Sequence, residues 1–242
     1  MRVEILNCPI DAMDMNATVS SIDASIQKNE RIHHVVVNAA KLVNMRRDAT
    51  LRDSVINCDI INADGQSVVW AARFLGKPLK ERVAGIDLMT ALVELARKKK
   101  YKIFLLGARE EIVRAVAEKY GEEIVAGYRN GYFDETEAAQ VAAEIAASGA
   151  QMLFVAMSSP KKEIFLNRFK DALDVPFIMG VGGAFDVVAG RVKRAPAWMQ
   201  KSGLEWFYRV VQEPRRMWKR YLVTNSVFIY LVLKEKFRIK NG

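Results

Sequence analysis

The chain has only two cysteines, Cys8 and Cys58, among 242 residues. With no C-x-x-C pair it offers neither a disulfide framework nor a zinc site, and both thiols are expected reduced and buried in a cytosolic protein. The only two histidines, His33 and His34, are adjacent on a β-type run and are expected to pack in the core. A long apolar stretch is also missing. The candidate span at 221–233 contains Thr224, Asn225 and Ser226 and falls short of the ~18–20 apolar residues that cross a bilayer. The opening Met-Arg-Val-Glu-Ile-Leu lacks the apolar run of a signal peptide. These absences predict a cytoplasmic chain with, at most, surface attachment at its C-terminal end.

Catalytic signatures are missing too. There is no G-x-G-x-x-G, no Walker lysine, no D-x-D metal motif and no paired carboxylates at glycosidase spacing. Ser158-Ser159 does not sit in a G-x-S-x-G elbow. Dinucleotide binding, P-loop chemistry, serine hydrolysis and zinc catalysis are therefore disfavoured, and no metal or cofactor is expected.

What is present is globular: 51% hydrophobic and 27% charged residues, at a length that suits one large α/β unit or two small lobes. The net charge of +9 is uneven. Residues 191–242 hold 13 Lys and Arg against 3 Asp and Glu, so the other 190 residues are close to neutral. The expected division is a core, 1–190, and a basic appendage, 191–242.

Through the core, short β-type runs alternate with helix-period segments. Strands are expected near 3–6, 33–37, 59–61, 102–106, 123–125, 151–156 and 176–180. Helices are expected over 11–29, 39–57, 67–75, 86–100, 109–120, 135–147 and 161–173. This alternation predicts an α/β fold, a Rossmann-like, largely parallel sheet flanked by helices. In such sheets ligands gather at the carboxyl ends of the strands. The loops expected there carry Asn38, Asp64-Gly65, Gly107-Ala108, residues 157–163 and Gly180-Val181-Gly182-Gly183. The glycine loop can be a tight turn or a backbone cradle for an anion. Asp64-Gly65 can likewise be a simple turn or a general base at a strand end.

The basic end interleaves aromatics with cations: Arg191, Lys193, Arg194, Trp198, Trp206, Phe207, Tyr208, Arg209, Arg215, Arg216, Trp218, Lys219, Arg220 and Tyr221. Nucleic acid, a membrane interface, or a packed terminal helix with a solvated basic face would each fit. A membrane is favoured and nucleic acid is not expected, because the uncharged run 221–233 lies between two basic clusters and Trp and Tyr prefer headgroup depth.

A series of motifs then stands in order: Asn38, Ala63-Asp64-Gly65, Glu81 to Leu88, Leu105-Leu106-Gly107, Gly131-Tyr132-Phe133, Ser159 to Glu163, Val181 to Asp186, Gly190, Lys193 to Pro196, Gly203-Leu204-Glu205-Trp206, Arg209 and Glu213 to Arg216. From about residue 35 to 220 this resembles the WecG/TagA/CpsF family of bacterial glycosyltransferases (glycosyltransferase family 26).

The resemblance implies an inverting, metal-independent hexosyltransferase on the inner face of the cell membrane. It would move a sugar, N-acetylmannosamine first, from a UDP donor to a sugar on undecaprenyl diphosphate for exopolysaccharide or other cell-envelope polymers. Glucosyl or uronic donors are the alternative within the class, and a non-catalytic anion- or membrane-binding protein is the alternative outside it. By resemblance Asp64 is the base, Asn38 lines the pocket, and Arg82 meets diphosphate or acceptor. Gly107, Ser158, Lys162, Glu163, Gly182 and Gly183 line the substrate site. Arg194, Arg209, Arg215, Arg216 and Arg220 lie over the leaving UDP, while Lys234, Lys236, Arg238 and Lys240 face phospholipid headgroups. Two departures stand out. Ser158 and Lys162 replace the glycine and glutamine usual in the family loop, an extra cation suited to an acidic sugar or another diphosphate contact. Val36 and Val37 stand where relatives often carry threonine. Oligomeric state stays open, since the apolar tail can pack between subunits when no membrane is present.

Overall fold

The computed structural model describes residues 1–240, except for the side chains of Lys201, Arg216, Met217, Arg220 and Lys240. Six strands form one parallel sheet in the order β4-β3-β8-β7-β5-β6, with β3 at Ile32–Val37, β4 at Ile60–Ala63, β5 at Ile103–Gly107, β6 at Val125–Arg129, β7 at Met152–Ala156 and β8 at Phe177–Gly180. Both faces of the sheet are covered, and side chains alternate between them with the two-residue strand period. Val36, Leu105, Phe154, Phe177 and Met179 turn to one face, where they meet apolar residues of α1 (Met15–Gln27), α5 (Gly85–Lys99) and α6 (Glu110–Tyr120). Val35, Val37, Phe104, Leu106, Leu153, Val155 and Ile178 turn to the other. There they meet α2 (Ala39–Asn44), α3 (Ala49–Ile56), α4 (Gln66–Phe74), α7 (Ala138–Ala147) and α8 (Lys161–Phe169). The result is the expected three-layer α/β sandwich.

Some boundaries differ from those expected. Residues 2–11 form an antiparallel hairpin, β1 (Arg2–Ile5) and β2 (Cys8–Asp11). Its two-residue loop, Leu6-Asn7, has both φ angles positive, which matches the twist of the paired strands. Asp11 holds this hairpin to the sheet, its Oδ2 accepting from Ile61 N–H at 2.9 Å. The helix expected over 39–57 is two helices, because the Asp48 side chain accepts from Leu51 N–H and starts α3 afresh. The strand expected at 123–125 runs later, at β6.

Four helices follow the sheet: α9 (Ala184–Val188), α10 (Ala197–Lys201), α11 (Glu205–Gln212) and α12 (Pro214–Lys240). The uncharged run 221–233 has two faces. Phe228 and Val232 are buried against the core beside α2, while Leu222, Ile229 and Leu233 are exposed. Glu235 anchors the same helix, with Oε2 accepting from Leu6 N–H at 2.8 Å and Oε1 2.7 Å from Lys77 Nζ. Among the described residues, no helix is long and apolar enough to cross a membrane.

Cys8 and Cys58 are free and buried, and burial pushes both thiols up to about 12. The two histidines are buried as well, and burial lowers both to about 4, leaving them neutral at pH 7. His34 Nε2 lies 2.9 Å from Asn62 Oδ1 inside the core.

Candidate active site

The sheet's carboxyl edge collects the polar loops. Asn38 follows β3 and caps α2, its Oδ1 accepting from Lys41 N–H at 3.0 Å. Asp64 follows β4, and its N–H extends the β3–β4 ladder by donating to Val37 O at 2.9 Å. Gly65 keeps these two loops close, since a Cβ there would stand 3.4 Å from Asn38 Cβ. The segment before α5 reaches the same edge because Val83 N–H donates to Ala63 O at 2.8 Å. That bond seats Arg82 beside the β4 end and brings Gly85 N–H to 3.3 Å from Asp64 Oδ1.

The Asp64 carboxyl is held above its usual range. Burial is the main cause and the Glu205 carboxylate adds to it; Gly85 N–H, Arg209 and Arg82 act in the opposite direction. A partly enclosed carboxyl tuned upward in this way is a stronger proton acceptor than a solvated one.

Three guanidiniums gather around Glu205. Arg82 Nη1 lies 3.1 Å from its Oε2, while Arg194 Nε and Arg209 Nη2 lie 3.8 Å and 3.7 Å from its Oε1. Arg194 is also bidentate on Asp87 in the first turn of α5, at 2.5 and 2.8 Å. Ile86, Lys193, Arg194, Glu205, Tyr208 and Arg209 share one narrow cleft. The structure thus brings Asp64, Arg82, Arg194 and Arg209 together, with Asn38 alongside Asp64.

The remaining expected residues divide by environment. Gly182 has φ +56° and open space where a Cβ would point, and Gly183 is the N-cap residue just before α9, so the glycine loop presents bare backbone at the β8 end. Ser158 is exposed at the end of β7. Gly107 has a packing role, since at φ +121° its Cβ would come within 2.5 Å of Ala156 O. Arg215 is exposed in the first turn of α12. The side chains of Arg216 and Arg220 lie outside the described residues.

Lys162 and Glu163 depart from the expected role of lining the pocket, because both side chains are buried. Glu163 Oε1 lies 2.9 Å from Lys162 Nζ and 2.8 Å from Lys41 Nζ. Burial alone would raise this carboxyl, but the ammonium groups of Lys41 and Lys162 outweigh it and hold it at about 2. The Lys162 stem lies over Gly180, where a Cβ would meet its Cδ at 2.9 Å. The added cation is therefore balanced inside the protein by a carboxylate.

Sequence reasoning assigned no role to Glu205, Asp87, Lys41 or the Arg109–Tyr132 pair. Arg109 hydrogen-bonds Tyr132, which is 73% exposed beyond β6, and the Asp186 carboxylate acts on the same guanidinium. Glu205 and Tyr132 stood within quoted motifs, but their partners are far away in sequence. Among the described residues, no three His, Cys, Asp or Glu side chains are grouped to hold a metal ion.

A parallel α/β sheet with an aspartate and an arginine cluster at its carboxyl edge has the architecture of an enzyme that binds an anionic ligand there. The model of the Glycosyl transferase WecG/TagA/CpsF family matches residues 3–242, and the chain belongs to that family. It is 36% identical over 194 residues to the N-acetylglucosaminyldiphosphoundecaprenol N-acetyl-beta-D-mannosaminyltransferase of Bacillus subtilis strain 168, covering 78% of this chain and 75% of that one. The protein of the same name from Bacillus spizizenii is 37% identical over 197 residues, covering 80% and 74%. The chain is accordingly an enzyme of the hexosyltransferase class.

Proposed function

We propose that this enzyme transfers N-acetylmannosamine from a UDP donor to N-acetylglucosamine carried on undecaprenyl diphosphate, with inversion and without a metal. The observation that carries this reading is Asp64, a carboxyl with a raised pKa that faces Arg82 and Arg209 at the sheet's carboxyl edge. The names of the two Bacillus relatives support the choice of donor sugar and lipid-linked acceptor.

In this mechanism Asp64 takes the proton of the acceptor hydroxyl as its oxygen forms the bond to the anomeric carbon. The bond from that carbon to the UDP oxygen breaks on the opposite face, and its electron pair leaves on the diphosphate. Arg82, Arg194 and Arg209 neutralise the charge that grows there, as a preorganised guanidinium cluster can. Arg215 adds positive charge at the α12 N-terminus, whose first turn carries no acidic residue.

Attachment to an anionic membrane surface would use the outer face of α12. Trp218, Leu222, Ile229, Tyr230, Leu233 and Phe237 are all exposed, whereas Phe228 and Val232 are buried against the core. Lys234, Lys236 and Arg238 flank them, as in an interfacial helix. Such attachment would hold this C-terminal region where a soluble donor meets a membrane-held acceptor, for a cell-envelope polysaccharide.

The test is incubation with UDP-N-acetylmannosamine and a short-chain lipid-diphosphate N-acetylglucosamine, following UDP release and the anomeric configuration of the product. A β-linked disaccharide that forms equally well after chelator treatment is the expected result. Equal rates for wild type and Asp64→Asn, or no product with this donor, would sink the reading.

A further inference from the structure

Three guanidiniums reach for one carboxylate in this site, and not all of their hydrogen-bonding capacity is met. Arg82 makes a hydrogen bond to Glu205 at 3.1 Å. Arg194 Nε, in contrast, is buried with no hydrogen-bond partner, because the nearest Glu205 oxygen is 3.8 Å away. Arg209 approaches the same oxygen only to 3.7 Å. A buried N–H without an acceptor is costly, and its geometry shows where a further anionic oxygen would be welcome.

Glu205 also fills the space. The cleft lined by Arg194, Glu205, Tyr208 and Arg209 has a free volume of about 20 Å³, enough for a water molecule or two and not for a diphosphate. The carrier helix is held lightly, as α11 has no buried residue and Glu205 joins it to Arg82, 123 positions earlier. Polar contacts of this kind exchange for other polar contacts at small net cost, whereas an apolar interface would not.

We infer that Glu205 is a built-in surrogate for the substrate diphosphate: its carboxylate occupies the guanidinium cluster in the unliganded enzyme and is displaced when a diphosphate binds. This rests on reading Arg82, Arg194 and Arg209 as the diphosphate site. A carboxylate and a phosphate present similar oxygen pairs to an arginine fork, so the exchange never leaves the cations bare. A diphosphate also brings enough oxygens to reach Arg194 Nε and Arg209 together, which one carboxylate does not. The surrogate thus sets a threshold: an anion must offer more than Glu205 already supplies, which disfavours small monovalent anions.

The experiment is calorimetric titration of the full chain with UDP and, separately, with inorganic pyrophosphate, for wild type, Glu205→Gln and Glu205→Asp. Glu205→Gln keeps the shape and removes the competing charge, so both probes are expected to bind roughly three- to tenfold more tightly. Glu205→Asp keeps the charge and draws it back by one methylene, and intermediate tightening is expected. Thermal melts report folding, and if Glu205→Gln does not fold, Glu205→Asp alone decides. Unchanged or weaker binding by the folded variants, with wild type binding both probes, overturns the surrogate and makes Glu205 a brace. If neither wild type nor variants bind either probe, the reading of the cluster as a diphosphate site fails as well.

Discussion

Asp64 Oδ1 accepts the backbone N–H of Gly85 at 3.3 Å, so the carboxyl at the end of β4 is steadied by the first residue of α5. One oxygen is oriented by the protein, and in the proposed mechanism Oδ2 would meet the incoming hydroxyl. The same enclosure raises the carboxyl's pKa, which serves proton abstraction and works against stability.

Replacing Asp64 with Asn should therefore separate activity from folding. Turnover is expected to fall by about 10²–10⁴, the usual worth of a general base. In the folded state the Asp64 pKa lies above its unfolded value. Its contribution favours folding most at low pH and is lost as pH rises through the folded pKa. Asn carries no such penalty, so the melting temperature at pH 7.5 should rise rather than fall, measured by differential scanning calorimetry.

Glu205 acts on Asp64 across the cleft, together with Arg82, Arg194 and Arg209. Removing the Glu205 charge takes away a carboxylate that raises Asp64, leaves Arg82 and Arg209 without that partner, and lowers the Asp64 pKa. The acidic limb of the kcat/KM profile should shift to lower pH in Glu205→Gln. A limb that stays in place, recorded between pH 4 and 8, would show that another group sets it.

Lys162→Gln restores the residue usual in the family loop and tests the buried Lys41–Glu163–Lys162 group. Donor preference should not change, because the Lys162 ammonium is spent on Glu163. Stability should fall by about 1–2 kcal/mol, with Lys41 left to hold the carboxylate. The Glu163 pKa is depressed to about 2, so its stabilisation is complete above the unfolded value and disappears as pH falls towards 2. Acid unfolding of the variant should begin at higher pH, read by circular dichroism.

Phe228 and Ile229 are neighbours in sequence, about 100° apart around α12, yet differ at 4% and 58% exposure. Phe228→Ala should cost about 3–5 kcal/mol by emptying core volume. Ile229→Glu should leave stability within about 0.5 kcal/mol while weakening co-sedimentation with anionic vesicles. Added salt should reduce wild-type vesicle binding without abolishing it, because charge is screened and apolar insertion is not.

The parallel sheet was legible because each strand is a short apolar run followed by a helix-period segment, and Asp64 was legible from its place just after one such run. Glu205 was not, since its meaning depends on Arg82 and Arg194, which only the folded chain brings to it. The first strand of the N-terminal hairpin was legible near 3–6, but its partner at Cys8–Asp11 was hidden, because four residues are too short for periodicity to register. Lys162 misled for another reason. The sequence shows its charge but not Glu163 and Lys41 waiting beneath the loop.

The bond from Glu235 to Leu6 N–H, 229 positions apart, bears on how the protein is made. Residues 228–235 close the layer that holds the β1–β2 hairpin, so this layer cannot be finished while they are still inside the ribosome. The sheet, with its more local pairings, can form earlier. Until the late residues emerge, the hairpin's underside and the apolar face of α2 are open to solvent. A chaperone that shields apolar surface would have its main task during that interval of synthesis.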